Sequence, residues 1–371
     1  MRILGIETSA DDTGIALIDA SGTFGPDFRC SVLANELASQ NVHAAYGGIY
    51  PNLAKREHAK NLPILLTRAL SACKDANVDA IAVTVGPGLE PCLWQGIEFA
   101  KRLGQDWGVP LIPVNHMEGH ILVSLLQQEA ATRYKLQAVS YPAIVLLISG
   151  GHTELILMRG FGGYEYLGRT RDDAVGEAFD KVARMLDLPY PGGPHISRLA
   201  EAFRATHEVT PRGLPSRGLR LPRPMLHDDN YDFSFAGLKT AVLRLVDANK
   251  PLTDDAKMLI AREFEDAAAE VLAAKTARAA NEYGAATVIV GGGVSANAHI
   301  RGELSRALQD TGCELLLCPL EFSGDNALMI ALAGCFRSFT AVSARAGAPR
   351  DMHAREDSLR AQGYLKLTDN A

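Results

Sequence analysis

Two histidines four residues apart, in His116-Met117-Glu118-Gly119-His120, are the side chains best placed to do chemistry in this chain. They follow an apolar run that reads as a strand. A helix opening there puts both imidazoles on one face, forming one edge of a metal site. A zinc peptidase of the His-Glu-x-x-His type needs its glutamate directly after the first histidine. Glu118 stands two places on, about 200° round a helix, so that base is absent. Asp325, in Ser323-Gly324-Asp325-Asn326 ahead of an apolar helix, has the chemistry of a third ligand. Two imidazoles and one carboxylate would leave positions open for substrate oxygens. The same aspartate also suits the cap of the helix that follows, and a histidine pair without metal is the alternative at the first motif.

A second chemistry is suggested by three glycine-bearing turns: Ser149-Gly150-Gly151, Tyr190-Pro191-Gly192-Gly193-Pro194, and Gly291-Gly292-Gly293-Val294-Ser295-Ala296-Asn297. Missing side chains let backbone N–H groups approach a phosphate or nucleoside, and a helix after Gly293 adds its N-terminal dipole. Tight packing is the other use of such turns. Neither a Walker lysine motif nor Gly-x-Gly-x-x-Gly is present, which disfavours the common nucleotide folds. Within a helix near 172–186, Val175, Phe179, Val182 and Leu186 make the apolar face. Asp180 lies beside it, suited either to ribose hydroxyls or to pairing with Lys181.

The elements that must hold these residues alternate as a layered α/β protein requires. Residues 2–6 and 15–18 read as a hairpin with a polar tip, Thr8-Ser9-Ala10-Asp11-Asp12-Thr13-Gly14, and the same grammar recurs at 143–148 and 155–158. That recurrence implies a hidden internal duplication. Between the hairpins come a helix at 53–73, a strand at 80–85, a helix at 89–107 and a strand at 111–114. After the second hairpin, a long helix at 255–281 leads to a strand at 286–290 and a helix from 296, and a strand at 315–318 precedes the last helix. Residues 204–224 hold five arginines and four prolines, which excludes a regular helix or central strand and leaves a solvated loop or a phosphate contact.

With 371 residues the chain is long enough for about two domains, and 47% apolar with 22% charged residues is an ordinary globular balance. A net charge of −6 supplies no global field toward nucleic acid or anionic lipid, so any such contact must be local. Six cysteines without a Cys-x-x-Cys pair argue for thiols in a reducing compartment rather than for disulfides or a cysteine zinc site. No apolar run approaches the roughly 18 residues of a membrane span, so a cytoplasmic protein without membrane contact is expected.

Taken together and in order, these motifs, with Gly5-Ile6-Glu7-Thr8-Ser9, Gly176-Glu177-Ala178-Phe179-Asp180-Lys181 and Asp232-Phe233-Ser234-Phe235-Ala236-Gly237-Leu238-Lys239-Thr240, closely resemble the TsaD family of tRNA threonylcarbamoyltransferases. The resemblance implies an α/β fold of two related actin/hexokinase/Hsp70-like (ribonuclease H-like) domains with a ligand cleft between them. The first, 1–134 with 327–371, would carry the metal histidines, and the second, 135–326, the adenylate-binding turns. It further implies that His116, His120 and Asp325 hold one divalent metal, Fe2+ with Zn2+ as the alternative. Leu147, Ile148, Ser149, Gly150, Gly151, Asp180, Gly193 and Asn297 would bind threonylcarbamoyl-adenylate, and Asp11 would act as the acid near the accepting amine. The implied reaction moves the threonylcarbamoyl group to the exocyclic amine of the adenosine 3′ of the anticodon, in tRNAs reading codons that begin with A. Implied partners are tRNA, an inactive TsaB-like paralogue and a small TsaE-like ATPase, with a homodimer through the 53–73 helix as a further arrangement. The chain departs from the family pattern in Ala10-Asp11-Asp12, where many relatives read Cys-Asp-Glu, and in Ser323-Gly324 in place of Cys-Thr.

Overall fold

The computed structural model describes residues 1–73, 77–206, 219–344 and 359–369, with backbone alone at 339–344. It divides into two compact units, Met1–Val139 with Cys318–Ala371, and Ser140–Leu317.

In the first unit, β1 (Arg2–Glu7) and β2 (Asp12–Ser21) form an antiparallel hairpin in register from Arg2↔Asp19 to Glu7↔Gly14. β3 (Arg29–Ser39) adds to β2, and a 3₁₀ turn at Asn41–Tyr46 leads into α1 (Pro51–Ser71). β4 (Ala80–Gly86) pairs parallel with β1, α2 (Glu90–Trp107) crosses over, and β5 (Leu111–Asn115) pairs parallel with β4. β4 is buried along its whole length, which is why it reads as a continuous apolar run rather than an alternating one. α2 stops at Gly108, whose left-handed φ of 67° suits glycine as a C-cap. α3 (His116–Val123), β6 (Leu126–Ala130) and β7 (Arg133–Leu136) follow, completing a sheet of order β5-β4-β1-β2-β3-β7-β6.

In the second unit, β8 (Ala143–Ile148) and β9 (Thr153–Gly160) form the other hairpin, and β10 (Gly163–Arg169) extends it. Among the described residues four helices intervene: α4 (Val175–Met185), α5 (Gly193–Thr206), α6 (Ala236–Ala248) and α7 (Asp254–Glu282). β11 (Thr287–Gly291) then pairs parallel with β8, α8 (Ala298–Leu308) crosses over, and β12 (Glu314–Leu317) pairs parallel with β11. The order β12-β11-β8-β9-β10 repeats β5-β4-β1-β2-β3 strand for strand, with the same parallel and antiparallel senses. The duplication expected from the hairpins is therefore a duplication of the sheet.

The chain returns to the first unit in α9 (Ala327–Ala344), which lies on β1, β2 and β4. Small residues permit the approach: a Cβ on Gly5 would come within 2.8 Å of the Ala331 amide nitrogen. Leu328, Met329, Ile330 and Leu332 are fully buried, each worth about 1.5–3 kcal/mol. Among the described residues, no helix is long and apolar enough to cross a membrane, and all six cysteines are free thiols.

The units differ from the expected domain limits. Residues 135–139 and 318–326 belong with the first unit, because β7 pairs with β3 and the Phe322 ring packs against Tyr134, 5.5 Å between centroids. Arg204, expected outside any helix, closes the last turn of α5 and pairs with Glu265 and Asp266, while Arg223 pairs with Glu263 and Glu270. Two of the five arginines are thus committed to carboxylates of α7. Arg212 and Arg217 lie outside the described residues.

Candidate functional site

β5 ends in Asn115, whose Oδ1 accepts from the backbone N–H groups of Met117 at 2.9 Å and Glu118 at 3.4 Å. That cap starts α3 at His116 and puts His120 one turn on, with the two rings 4.7 Å apart and nearly perpendicular. Gly119 between them keeps α3 close to α9, since a Cβ there would meet the Met329 side chain at 3.0 Å. At the start of α9 it is Asn326, not Asp325, that caps, its Oδ1 accepting from Met329 N at 3.0 Å. Asp325 is released toward the histidines: its Oδ1 lies 3.2 Å from His120 Nε2 and 3.4 Å from His116 Nε2.

Behind His116 stands Glu7, fully buried at the end of β1. Its Oε2 lies 3.1 Å from His116 Nδ1 and accepts from Thr84 Oγ1 at 2.5 Å, while its Oε1 accepts from Ser9 N at 2.5 Å. A carboxylate can only accept, so Nδ1 carries a proton toward Glu7; Nε2 likewise donates toward Asp325 at 3.4 Å, and a cation seated between them would take the Nε2 lone pair instead. Two carboxylates and two neutral imidazoles would leave this buried cluster with two negative charges, an arrangement that calls for a cation. Burial alone would depress the His116 pKa, but Glu7 and Asp325 on either side outweigh it and raise it to about 10. Burial opposes ionisation of Asp325 too, yet His116 beside it holds the carboxyl well below its usual range. His120 is held neutral by burial.

The three ligand atoms lie within 4.8 Å of one another. Two donors each ~2.1 Å from an ion at a near-tetrahedral angle are about 3.4 Å apart, which the two Asp325–histidine spacings of 3.2 and 3.4 Å match, and with the charge they suit a divalent metal once the two imidazoles draw together. Glu118 is engaged away from the histidines: its carboxylate receives Arg337 Nε at 2.8 Å and ties α3 to α9.

Asp11 lies on the β1–β2 tip, where its carbonyl accepts from Gln40 N at 3.1 Å. Its neighbour Asp12 is half-buried near Asp325 and Glu7, and desolvation first and Asp325 second push its pKa up to about 7.

The second unit gathers the remaining candidates around backbone. Leu147 and Ile148 end β8, and Ser149 closes the turn by donating its amide to His152 O at 2.9 Å, with its Oγ accepting from His152 N at 3.1 Å. α4 begins against this turn: Gly176 N donates to Ser149 O at 3.2 Å, and a Cβ on Gly176 would come within 2.8 Å of the Gly150 Cα. Gly150, Gly151, Gly193 and Gly293 face open space where a side chain would be. Asp180 Oδ1 accepts from Gly192 N at 2.6 Å and so fixes the turn that starts α5 at Gly193. Lys181, weighed as a partner for Asp180, pairs with Asp173 and Glu177. Asn297 is fully engaged, its Oδ1 capping α8 through Ile300 N at 2.9 Å and its Nδ2 donating to Ser197 Oγ at 2.8 Å and Glu265 Oε1 at 2.7 Å.

The structure thus assembles His116, His120 and Asp325 in one unit and the turn residues in the other. Sequence reasoning missed Glu7, Thr84, Ser197 and Glu265. The available signal was an acid at the end of an otherwise apolar strand, Ile3-Leu4-Gly5-Ile6-Glu7.

A family model described as tRNA N6-adenosine threonylcarbamoyltransferase, TsaD, matches residues 31–332. Curated relatives of that name include one from Aromatoleum aromaticum, 43% identical over 341 residues covering 91% of this chain and 92% of the relative. Another, from Persephonella marina, is 43% identical over 340 residues covering 90% of this chain and 89% of the relative. Among solved structures, HypF from T. kodakarensis superposes with a TM-score of 0.53 at 14% identity over 91% of this chain and 48% of that one. A full-length HypF in the phosphate- and nucleotide-bound form gives 0.54 at 13%, over 94% and 47%. This chain spans about half of those HypF chains, and at such identity the likeness speaks for the fold alone, the actin/hexokinase/Hsp70-like one. Full-length matches to proteins of one name, in a chain that also brings His116, His120 and Asp325 together, lead to one conclusion: the chain belongs to the TsaD family of tRNA N6-adenosine threonylcarbamoyltransferases.

Proposed function

We propose that this chain transfers the threonylcarbamoyl group from threonylcarbamoyl-adenylate to the exocyclic amine of the adenosine 3′ of the anticodon, in tRNAs reading codons that begin with A. The observation that carries the proposal is the cluster of buried His116 and His120 with half-buried Asp325, backed by Glu7, in a chain 43% identical to named transferases over most of its length. In the reaction the amine nitrogen forms a bond to the carbamoyl carbon, the bond from that carbon to the phosphate oxygen breaks, AMP departs, and the amine loses a proton. His116, His120 and Asp325 would hold the divalent metal, Fe2+ or Zn2+, which when bound supplies Lewis-acid stabilisation of negative charge on substrate oxygens.

The chain's own residues do the rest. Glu7 fixes the tautomer and orientation of His116 through Nδ1, and Thr84 and Ser9 fix Glu7. In the second unit, the backbone N–H groups of Gly150, Gly151 and Gly193 meet the adenylate beside Ser149, and Leu147 and Ile148 form the apolar floor leading to them. Asp180 and Asn297 act there by holding the turns. Asp11 orients or deprotonates the amine. No covalent nucleophile is required, because the mixed anhydride already carries a good leaving group. The protein works in the cytoplasm with a TsaB-like paralogue and a TsaE-like ATPase, with a homodimer through α1 as the alternative arrangement.

The test is a reconstituted transfer with synthetic threonylcarbamoyl-adenylate, tRNA and the partner subunits, read by nucleoside mass spectrometry. Threonylcarbamoyladenosine that disappears with chelator and returns with Fe2+ or Zn2+ is the expected result. Transfer that survives complete metal removal would refute the metal's part in it.

A further inference from the structure

Two buried histidines outside the metal cluster are joined to the hairpin tip that carries Asp11. His58, on α1 and fully buried, places Nε2 at 2.9 Å from Ala10 O and Nδ1 at 2.8 Å from Thr13 Oγ1. A carbonyl only accepts, so Nε2 bears the proton and Nδ1 accepts from the threonine hydroxyl. One imidazole therefore grips the residue before Asp11 and the residue after Asp12. Burial holds His58 below its ordinary pKa, in keeping with this neutral tautomer.

His43, also fully buried, extends the arrangement. Its Nδ1 accepts from Tyr50 N at 3.3 Å, so its Nε2 donates to Gln40 Oε1 at 2.9 Å. Gln40 in turn donates Nε2 to Ala54 O at 3.2 Å and its backbone N–H to Asp11 O at 3.1 Å. On the other side of the tip, Ser9 N is held by Glu7 and Ser9 O accepts from Leu89 N at 2.8 Å. Every residue from Ser9 to Asp11 has a backbone group tied, and Thr13 has its hydroxyl tied. The backbone that carries Asp11 is thus tied on both sides, to α1 and Gln40 on one and to β1 and α2 on the other.

We infer that His58, supported by Gln40 and His43, is a positioning residue for Asp11, anchoring the hairpin tip to α1 so that the Asp11 carboxylate points at the accepting amine. The inference rests on the proposed role of Asp11 in the transfer.

The test is a double-mutant cycle in the assembled enzyme with tRNA and synthetic threonylcarbamoyl-adenylate, measuring kcat, KM and bound metal. His58→Leu should lower kcat about 10- to 100-fold while leaving the adenylate KM and the metal content as in the wild type. His58→Gln, still able to donate to Ala10, should recover most of the loss. On an Asp11→Ala background the same His58→Leu change should cost less than about twofold, because its target is gone. If His58→Leu does not accumulate as folded protein, Thr13→Val removes only the hydroxyl and should lower kcat about three- to tenfold, again only when Asp11 is present. Equal losses in both backgrounds overturn the inference, as does a metal-loaded His58→Leu enzyme within about twofold of wild type. A fully active Asp11→Ala enzyme overturns the role of Asp11 itself, an outcome distinct from the other two.

Discussion

The two units repeat one sheet, yet they build opposite kinds of site on it. In the first, side chains converge: Glu7, His116, His120 and Asp325 are drawn into one cluster in which Glu7, His116 and Asp325 hold one another in charged forms while burial keeps His120 neutral. In the second, backbone is left bare at Gly150, Gly151, Gly193 and Gly293, while Asp180 and Asn297 hold the turns in place. The contrast is sharpest in the carboxyl groups. Glu7 and Asp325 have an imidazole against them and stay ionised, while Glu154 on β9 has a buried, unpartnered Oε2. Burial pushes the Glu154 pKa from 4.5 to about 7, with Arg169 only partly opposing it. Similar scaffolds thus give a site dependent on particular side chains and another dependent on backbone shape.

The comparison breaks first at the proposed metal ligands. Asp325→Ala or His116→Ala should reduce bound metal to under about a tenth per chain and slow transfer by at least about 10³-fold, measured by elemental analysis and single-turnover kinetics. Metal retained by either variant would dissolve the first half of the contrast. Glu7→Gln tests the layer behind, where loss of the carboxylate charge that accepts from His116 Nδ1–H should weaken metal affinity about 10- to 100-fold in a chelator competition. In the second unit Asp180→Ala should leave metal content untouched and raise the adenylate KM about tenfold, by loosening the Gly192 turn. Asn297→Ala should act on stability, costing about 1–3 kcal/mol in chemical denaturation through the lost cap and the lost donor to buried Glu265.

The smallest effect is one of pH. Because folding raises the Glu154 pKa, its stabilising contribution is full below 4.5 and is lost as pH rises through about 7. Glu154→Gln should therefore gain of order 1 kcal/mol over wild type at pH 8 and nothing at pH 4, read from melting temperatures. An equal change at both pH values would mean that the group is not held neutral.

What the sequence reveals follows from how local each device is. The central strands and both hairpins are legible because β1, β4, β8 and β11 are continuous apolar runs. The histidine pair is legible because its spacing is one helical turn. Edge strands such as β6, Leu126–Ala130, bury a single residue and carry no periodic signal. Asp325 and Asn326 are adjacent polar residues, and only the coordinates show which one caps α9. Glu7 interrupts an apolar strand, and its partners Thr84 and His116 are 77 and 109 residues away, so pairing cannot be read from spacing. The Asn297 bond to Glu265 spans 32 residues and hides an engaged side chain behind what reads as a free amide.

The central claim is that this buried cluster drives a tRNA modification, and nucleoside mass spectrometry of total tRNA from cells depleted of the protein tests it most directly. Threonylcarbamoyladenosine should fall on depletion, return with the wild-type chain and stay absent with His116→Ala. Full restoration by His116→Ala, or unchanged modification in depleted cells that hold no second copy, would contradict the account.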